Sequence, residues 1–202
     1  MERTARVRIL DAAHQLMLTV GLARATTKEI AKAAGCSEAA LYKYFPSKEE
    51  LFIHVLGERL PQLTPLLRSL VAEPGRGTLE ENLTAIARQA ALFYEQSFPI
   101  AASLYAEQGL KKRHDNAMRT MGSGPHKPIE GLDAYLRAEQ DAGRIRPGAD
   151  TFAAASLLLG ACAQRAFAYE ASPTGERPPV DDFAARLART LLSGISVADG
   201  SA

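Results

Sequence analysis

The sequence predicts an all-α protein. Three observations predict it. No stretch sustains the period-2 alternation of a half-buried strand, and no Asn-Gly or Asp-Gly pair marks a hairpin. Apolar residues instead recur at helical spacing along the chain. Capping residues, glycines and prolines punctuate those runs where helices start and stop.

The elements follow in order. The first helix runs from about Thr4 to Val20, with Val7, Leu10, Met17 and Val20 along one stripe, Ala13 between them, and Gly21 as a stop. Thr26 and Glu29 form a T-x-x-E capping box, so a second helix starts there and lasts until Gly35. Ser37 caps a third helix from Glu38 to Tyr44, which Pro46 ends. Ser47 and Glu50 open a fourth through Leu51, Phe52, Val55 and Leu56, broken or kinked at Pro61 and Pro65. After the EPGRG turn at Glu73 to Gly77 comes a long helix, Leu79 to Phe98, with Leu79, Leu83, Ile86, Ala90 and Phe93 spaced 4-3-4-3. A short helix follows Pro99. The Gly122 to Pro128 loop leads to a helix from Ile129 to Ala142. Thr151 to Tyr169 is the most apolar helix, the SPTGERPP segment is a loop, and Asp181 to Ser193 is the final helix.

Composition narrows the function. With 47% hydrophobic residues among 202, the chain can bury a substantial core. No apolar run approaches the ~20 residues of a bilayer span, and the N-terminus lacks a signal-peptide core, so a cytoplasmic location without membrane association is expected. Cys36 and Cys162 share no metal-ligand spacing and read as reduced thiols. Charge is uneven: residues 1–48 carry a net +4 and the remainder −3. That balance suits a polyanion at one end of the protein.

The helices around Gly35-Cys36-Ser37 explain the basic end. Two helices joined by a short glycine-containing turn form a helix-turn-helix, with Gly35 supplying the left-handed conformation. Ile30, Ala34 and Leu41 pack the pair together, leaving Glu38, Ala39, Tyr42 and Lys43 outward on a helix that fits the DNA major groove. Lys43 and Lys48 offer charge to phosphates, Thr27, Tyr42 and Tyr44 offer hydroxyls, Ala39 admits a thymine methyl, and Glu38 can accept from a cytosine amino group. Each has a plainer reading. Glu38 is favoured in a first helical turn by the macrodipole, Tyr42 can be core, Lys43 can be merely solvated, and Cys36 can pack the turn rather than sense oxidants.

The ordered pattern from Ile9 to Phe52 resembles the DNA-binding domain of the tetracycline-repressor (TetR) family. It carries A-A-x-x-L at Ala12 to Leu16, then Thr27, IAKAAG, Ser37, and LYKYF followed by Lys48, Glu50 and Leu51. The resemblance implies an all-helical fold of about nine helices, with a three-helix DNA-binding head, a helical body and a homodimer on double-stranded operator DNA. It assigns Thr27, Ser37, Tyr42, Tyr44 and Lys48 to phosphates, and Glu38, Ala39, Ala40 and Lys43 to the groove. Cys36, Ala39 and Tyr44 depart from the residues common in the family, and Ala39 alters the expected base preference. The implied organisation is a DNA-binding domain at 1–48, a ligand-binding and dimerisation domain at 49–196, and a tail at 197–202.

In the body the resemblance fades and the residues speak alone. The uncharged, small-residue segment from Thr151 to Gln164, followed by the leucine-bearing last helix, suggests a four-helix dimer interface through Leu158, Cys162, Phe183, Leu187 and Leu191. The alternative is core within one chain. Phe93, Tyr94, Phe98, Tyr105, Met118, Gln164 and Phe167 are candidates to line a pocket for a small, mainly apolar effector. His114 reads as solvated. No nucleophile elbow, H-E-x-x-H, P-loop or dinucleotide fingerprint is present, so neither an enzyme nor a cofactor or metal site is expected. The expected function is a ligand-responsive regulator, with a DNA-binding protein lacking a small-molecule response as the alternative.

Overall fold

The computed structural model describes residues 4–22, 24–61, 63–170 and 176–195. These form ten α-helices: α1 (Ala5–Val20), α2 (Thr27–Ala33), α3 (Glu38–Tyr44), α4 (Lys48–Glu58), α5 (Leu63–Ala72), α6 (Leu79–Ala106), α7 (Gln108–Thr120), α8 (Lys127–Asp141), α9 (Thr151–Glu170) and α10 (Val180–Ile195). The expected 197–202 tail lies outside the described residues, as do residues 171–175 of the loop before α10.

The helix boundaries follow the local chemistry. Thr4, Thr26, Ser37 and Ser47 each accept a backbone N–H from the first turn of α1, α2, α3 and α4, and Thr26 with Glu29 completes a reciprocal capping box. Each such cap is worth about 1 kcal/mol. Pro61 separates α4 from α5. Pro99, by contrast, does not end its helix: α6 continues past the expected stop at Phe98 to Ala106 with Pro99 inside it. The cost of a proline lies in one lost hydrogen bond and a clash one turn back, which a long helix packed in a core can absorb by bending.

The chain divides into two compact units, residues 1–60 with 96–124, and residues 61–95 with 125–202. In the first, α1 packs on α2, α3 and α4, α2 on α3, and α4 on α7. Its interior holds Ile9, Leu10, Ala13, Met17, Ile30, Leu41, Phe45, Leu51 and Phe52. Val20, expected on the α1 stripe, is instead 42% exposed.

In the second unit, α5 packs on α8, α8 on α9, and α9 on α10, around a core that includes Leu67, Leu83, Ile86, Tyr135, Leu136, Leu158 and Leu159. A buried carboxylate ties its loops together. Glu139 is fully buried, accepts from the Gly75 backbone N–H at 3.1 Å, and lies 2.8 Å from the Arg144 guanidinium in an ion pair lacking hydrogen-bond alignment. Arg144 in turn donates to the carbonyls of Gly75 and Gly77. The turns before α6 and after α8 are thereby held to each other.

The expectation that no segment could span a bilayer needs correction. Thr151–Tyr169 is long and apolar enough, by length and composition. The expectation counted unbroken apolar runs, whereas a hydropathy average tolerates Gln164 and Arg165. In the fold, Ala154, Ala155, Leu158, Leu159, Cys162 and Ala166 of α9 are buried within the protein.

Candidate nucleic-acid interface

The corner between α2 and α3 is built by Gly35 and a buried apolar wedge. Gly35 has φ 68°, a left-handed backbone that strains any side chain. The Cys36 N–H donates to the Ala31 carbonyl and the Gly35 N–H to that of Lys32, satisfying carbonyls at the end of α2. Ile30, Ala34 and Leu41 are 0%, 5% and 0% exposed, so the interlock between the helices is dry. Cys36 is half-buried in the turn.

With Leu41 inward, the remaining side of α3 faces solvent. Ser37, Glu38, Ala39, Tyr42, Lys43 and Tyr44 are exposed, while Thr27, Ala40 and Lys48 are half-buried. Tyr42 and Tyr44 stand 45% and 47% exposed, which excludes the reading of Tyr42 as core. Three polar groups on this face are linked: the Tyr42 hydroxyl donates to Thr27 Oγ1 at 3.4 Å, and the Thr27 hydroxyl donates to Glu38 in a very short contact. Lys48 differs from the others. Its ammonium sits 5.2 Å over the Phe52 ring, and burial lowers its pKa.

The face rests on ionic clamps. Arg6 of α1 makes a two-pronged contact with Glu58 of α4, which also meets His54, and Arg59 pairs with Asp11 at 2.8 Å. Arg6, the leading cause, and His54 together hold the Glu58 carboxyl down to about 2, against a smaller opposing effect of burial. On the other side of α4, Glu49 accepts from Arg113 of α7 at 2.8 Å. His114, expected to be solvated, is 6% exposed; burial lowers its pKa, with Asp115 and Glu49 opposing. Its charged sequence neighbours hid the one turn of α7 that faces α4.

The expected pocket residues divide between the two units. Phe98, Tyr105 and Met118 belong to the first unit, and Phe93, Tyr94, Gln164 and Phe167 to the second. Tyr105 is 73% exposed, Phe167 59% exposed, and Gln164 exposed, so these three are not walls of an enclosed site. Phe93 and Tyr94 are half-buried with rings 5.5 Å apart, edge to face. A shallow depression of about 570 Å³ lies elsewhere, lined by Thr78, Glu80, Glu81, Thr84, Ala85 and Ala185. Among the described residues, no three His, Cys, Asp or Glu side chains are grouped to hold a metal ion.

The expected interface residues also need correction. Leu158 and Cys162 are fully buried in their own chain, and Cys162 Sγ lies 3.4 Å from the Ala87 carbonyl. They cannot lie on an outer surface. The exposed side of α9 is offset by one residue: Ala153, Leu157, Gly160, Gln164 and Phe167, with Leu157 66% exposed. That stripe has the 4-3-4-3 spacing of one helix face, but the buried side is apolar at helical spacing too, so spacing alone did not mark it. On α10, Phe183 and Leu187 are half-buried and Leu191 is 9% exposed. The sequence reading also passed over Arg165, 6% exposed, which pairs with Glu95, donates to the Pro178 carbonyl at 2.7 Å and lies over Phe183.

A dry helix-turn-helix presenting a polar α3 face, joined to an all-helical second unit, is the architecture of a DNA-binding regulator. Residues 9–55 match the family described as bacterial regulatory proteins, tetR family. The nucleoid occlusion factor SlmA of Vibrio atlanticus is 30% identical over 178 aligned residues, covering 64% of this chain and 91% of that protein. Its namesake in Haemophilus ducreyi is 42% identical over 73 residues, 36% of this chain but only 33% of that relative. Among solved structures, FadR of Bacillus subtilis in complex with stearoyl-CoA superposes with a TM-score of 0.67 at 20% identity, covering 94% of this chain and 98% of that one. The SmeT–triclosan complex gives 0.68 at 20%, covering 98% and 94%. Salmonella enterica GusR gives 0.67 at 25%, with 94% of each chain covered. The chain belongs to the TetR family of transcriptional regulators.

Proposed function

We propose that this chain is a homodimeric regulator that binds a near-palindromic operator and leaves it when a small molecule occupies its second unit. The observation carrying the DNA half is the exposed α3 face; on this reading Glu38, Ala39, Ala40 and Lys43 meet bases, and Thr27, Ser37, Tyr42, Tyr44 and Lys48 meet phosphates. Residues 1–48 act as the DNA-binding domain and 49–196 as the effector and dimerisation domain. The effector half is supported by the fold shared with FadR and SmeT, whose structures hold stearoyl-CoA and triclosan. Half-buried Phe93 and Tyr94 are the candidate contacts that remain inside the second unit.

Dimerisation is assigned to the exposed α9 stripe around Leu157, with Phe183 and Leu187 of α10 beside it. A two-fold pair presents two α3 helices to half-sites about 34 Å apart or a related spacing. The test is enrichment of duplexes from a random pool, followed by an anisotropy screen for compounds that release the enriched duplex. No enriched motif sinks the operator; no releasing compound sinks the effector.

A second reading has its own support. The Vibrio atlanticus relative, spanned over 91% of its length, is a nucleoid occlusion factor. On that reading the protein acts by occupying DNA, without a small-molecule response. Selective thermal stabilisation by any compound in a screen would exclude it.

A further inference from the structure

Two of the hydroxyls assigned to phosphate are already engaged. Tyr42 donates to Thr27, and Thr27 donates to Glu38. Each hydroxyl has one proton, and an ionised carboxylate only accepts. The chain therefore runs one way, Tyr42 to Thr27 to Glu38, and spends both protons inside the protein. Phosphate oxygens also only accept. For Thr27 to reach a phosphate, its proton must turn away from Glu38; for Tyr42 to do so, its proton must leave Thr27.

That rearrangement strands Glu38. Its carboxylate is exposed on the face that meets a duplex carrying one negative charge per ~1.7 Å of axis. Every base pair carries one exocyclic amino group in the major groove, on cytosine or adenine, so a replacement donor meets Glu38 only where that group lies on the strand opposite the carboxylate. Elsewhere nothing replaces the lost donor.

We propose that Glu38 is a discrimination residue, withholding the Thr27 and Tyr42 hydroxyl protons from phosphates on arbitrary DNA and releasing them where a base amino group takes their place. This rests on the reading of α3 as the recognition helix. It assigns Glu38 a cost on non-specific binding, where a plain base contact would only add affinity at the operator.

The test uses the full-length protein, Glu38→Gln, Thr27→Val and the double variant. Each is measured by anisotropy against a random-sequence duplex and the duplex enriched by the wild type, at a temperature where thermal melts show every variant folded. Glu38→Gln is expected to bind the random duplex about tenfold tighter, equivalent to about 1.4 kcal/mol, without binding the enriched duplex any tighter. In the Thr27→Val background the gain should fall below half. An unchanged random-duplex affinity in Glu38→Gln overturns the proposal. So does an equal gain with and without Thr27, because through-space repulsion then accounts for all of it. If the wild type binds no duplex at low salt, the DNA-binding reading falls as well; if it binds and Glu38→Gln behaves like it, this proposal alone falls.

Discussion

Gly35 carries the sharpest single-residue constraint. The space beside it is open, with no atom within 4 Å of an added Cβ, yet its φ of 68° is left-handed. Gly35→Ala should therefore cost about 1–2 kcal/mol through the backbone alone, read as a lower urea midpoint with an unchanged slope. Lys48 supplies a functional counterpart. Its partly buried ammonium over Phe52 is proposed to meet phosphate, so Lys48→Ala should weaken enriched and random duplexes alike. Losing one phosphate contact should lower the salt slope of binding by about 0.9. An unchanged slope would remove Lys48 from the interface. The sequence made both residues visible, Gly35 by its place between two caps and Lys48 by charge. The partial burial of Lys48 was not visible in its charge, although Phe52, the ring beneath its ammonium, lies one turn on in the same helix.

Two carboxylates decide how elements are joined. Glu58 clamps α4 to α1, and its pKa is lowered from 4.5 to about 2, chiefly by Arg6. A depressed carboxylate contributes stability that is fully present above its unfolded value and lost as pH falls through its folded one. Urea melts should therefore show wild type losing its advantage over Glu58→Gln as pH falls from 4.5 to about 2. Glu139 is the stronger case because it is fully buried. Glu139→Ala removes the partner of Arg144 and the acceptor of the Gly75 N–H, and should cost about 3 kcal/mol, the lower end for a broken buried pair, since Arg144 keeps some solvent contact. Glu139→Gln retains an acceptor and should cost less. In sequence, Glu139 sits in an ordinary amphipathic helix, and nothing local announces that Arg144 in the turn after it and the Gly75 backbone far before it both converge on its carboxylate.

At the level of the molecule, the proposed dimer separates two kinds of leucine on adjacent positions. Leu157 is 66% exposed and Leu158 fully buried. Leu157→Glu with Phe167→Glu should give a folded monomer by light scattering, its circular dichroism unchanged. Leu158→Glu should instead unfold the protein, because it places a charge in the core with no partner. A double variant at Leu157 and Phe167 that remains dimeric would move the interface off this face of α9.

What the sequence determined by itself is local. Caps at Thr4, Thr26, Ser37 and Ser47 set where α1 to α4 begin, and apolar periodicity set the helical class. The helix-turn-helix was legible down to its buried Ile30, Ala34 and Leu41, because hydrogen bonds and contacts within some 20 residues of chain define it. Tertiary structure decided the rest. On α9, a helix apolar on all sides has no periodic contrast to say which side faces inward, so only packing against α8 and α10 buried Leu158 and exposed Leu157. Packing of α7 on α4 likewise buried His114 among charged neighbours. Packing in the core also let α6 run through Pro99, since burial along a long helix outweighs one missing hydrogen bond. Local signals act through bonds a few residues away, whereas inward and outward are properties of the neighbours, which the chain acquires only when it folds.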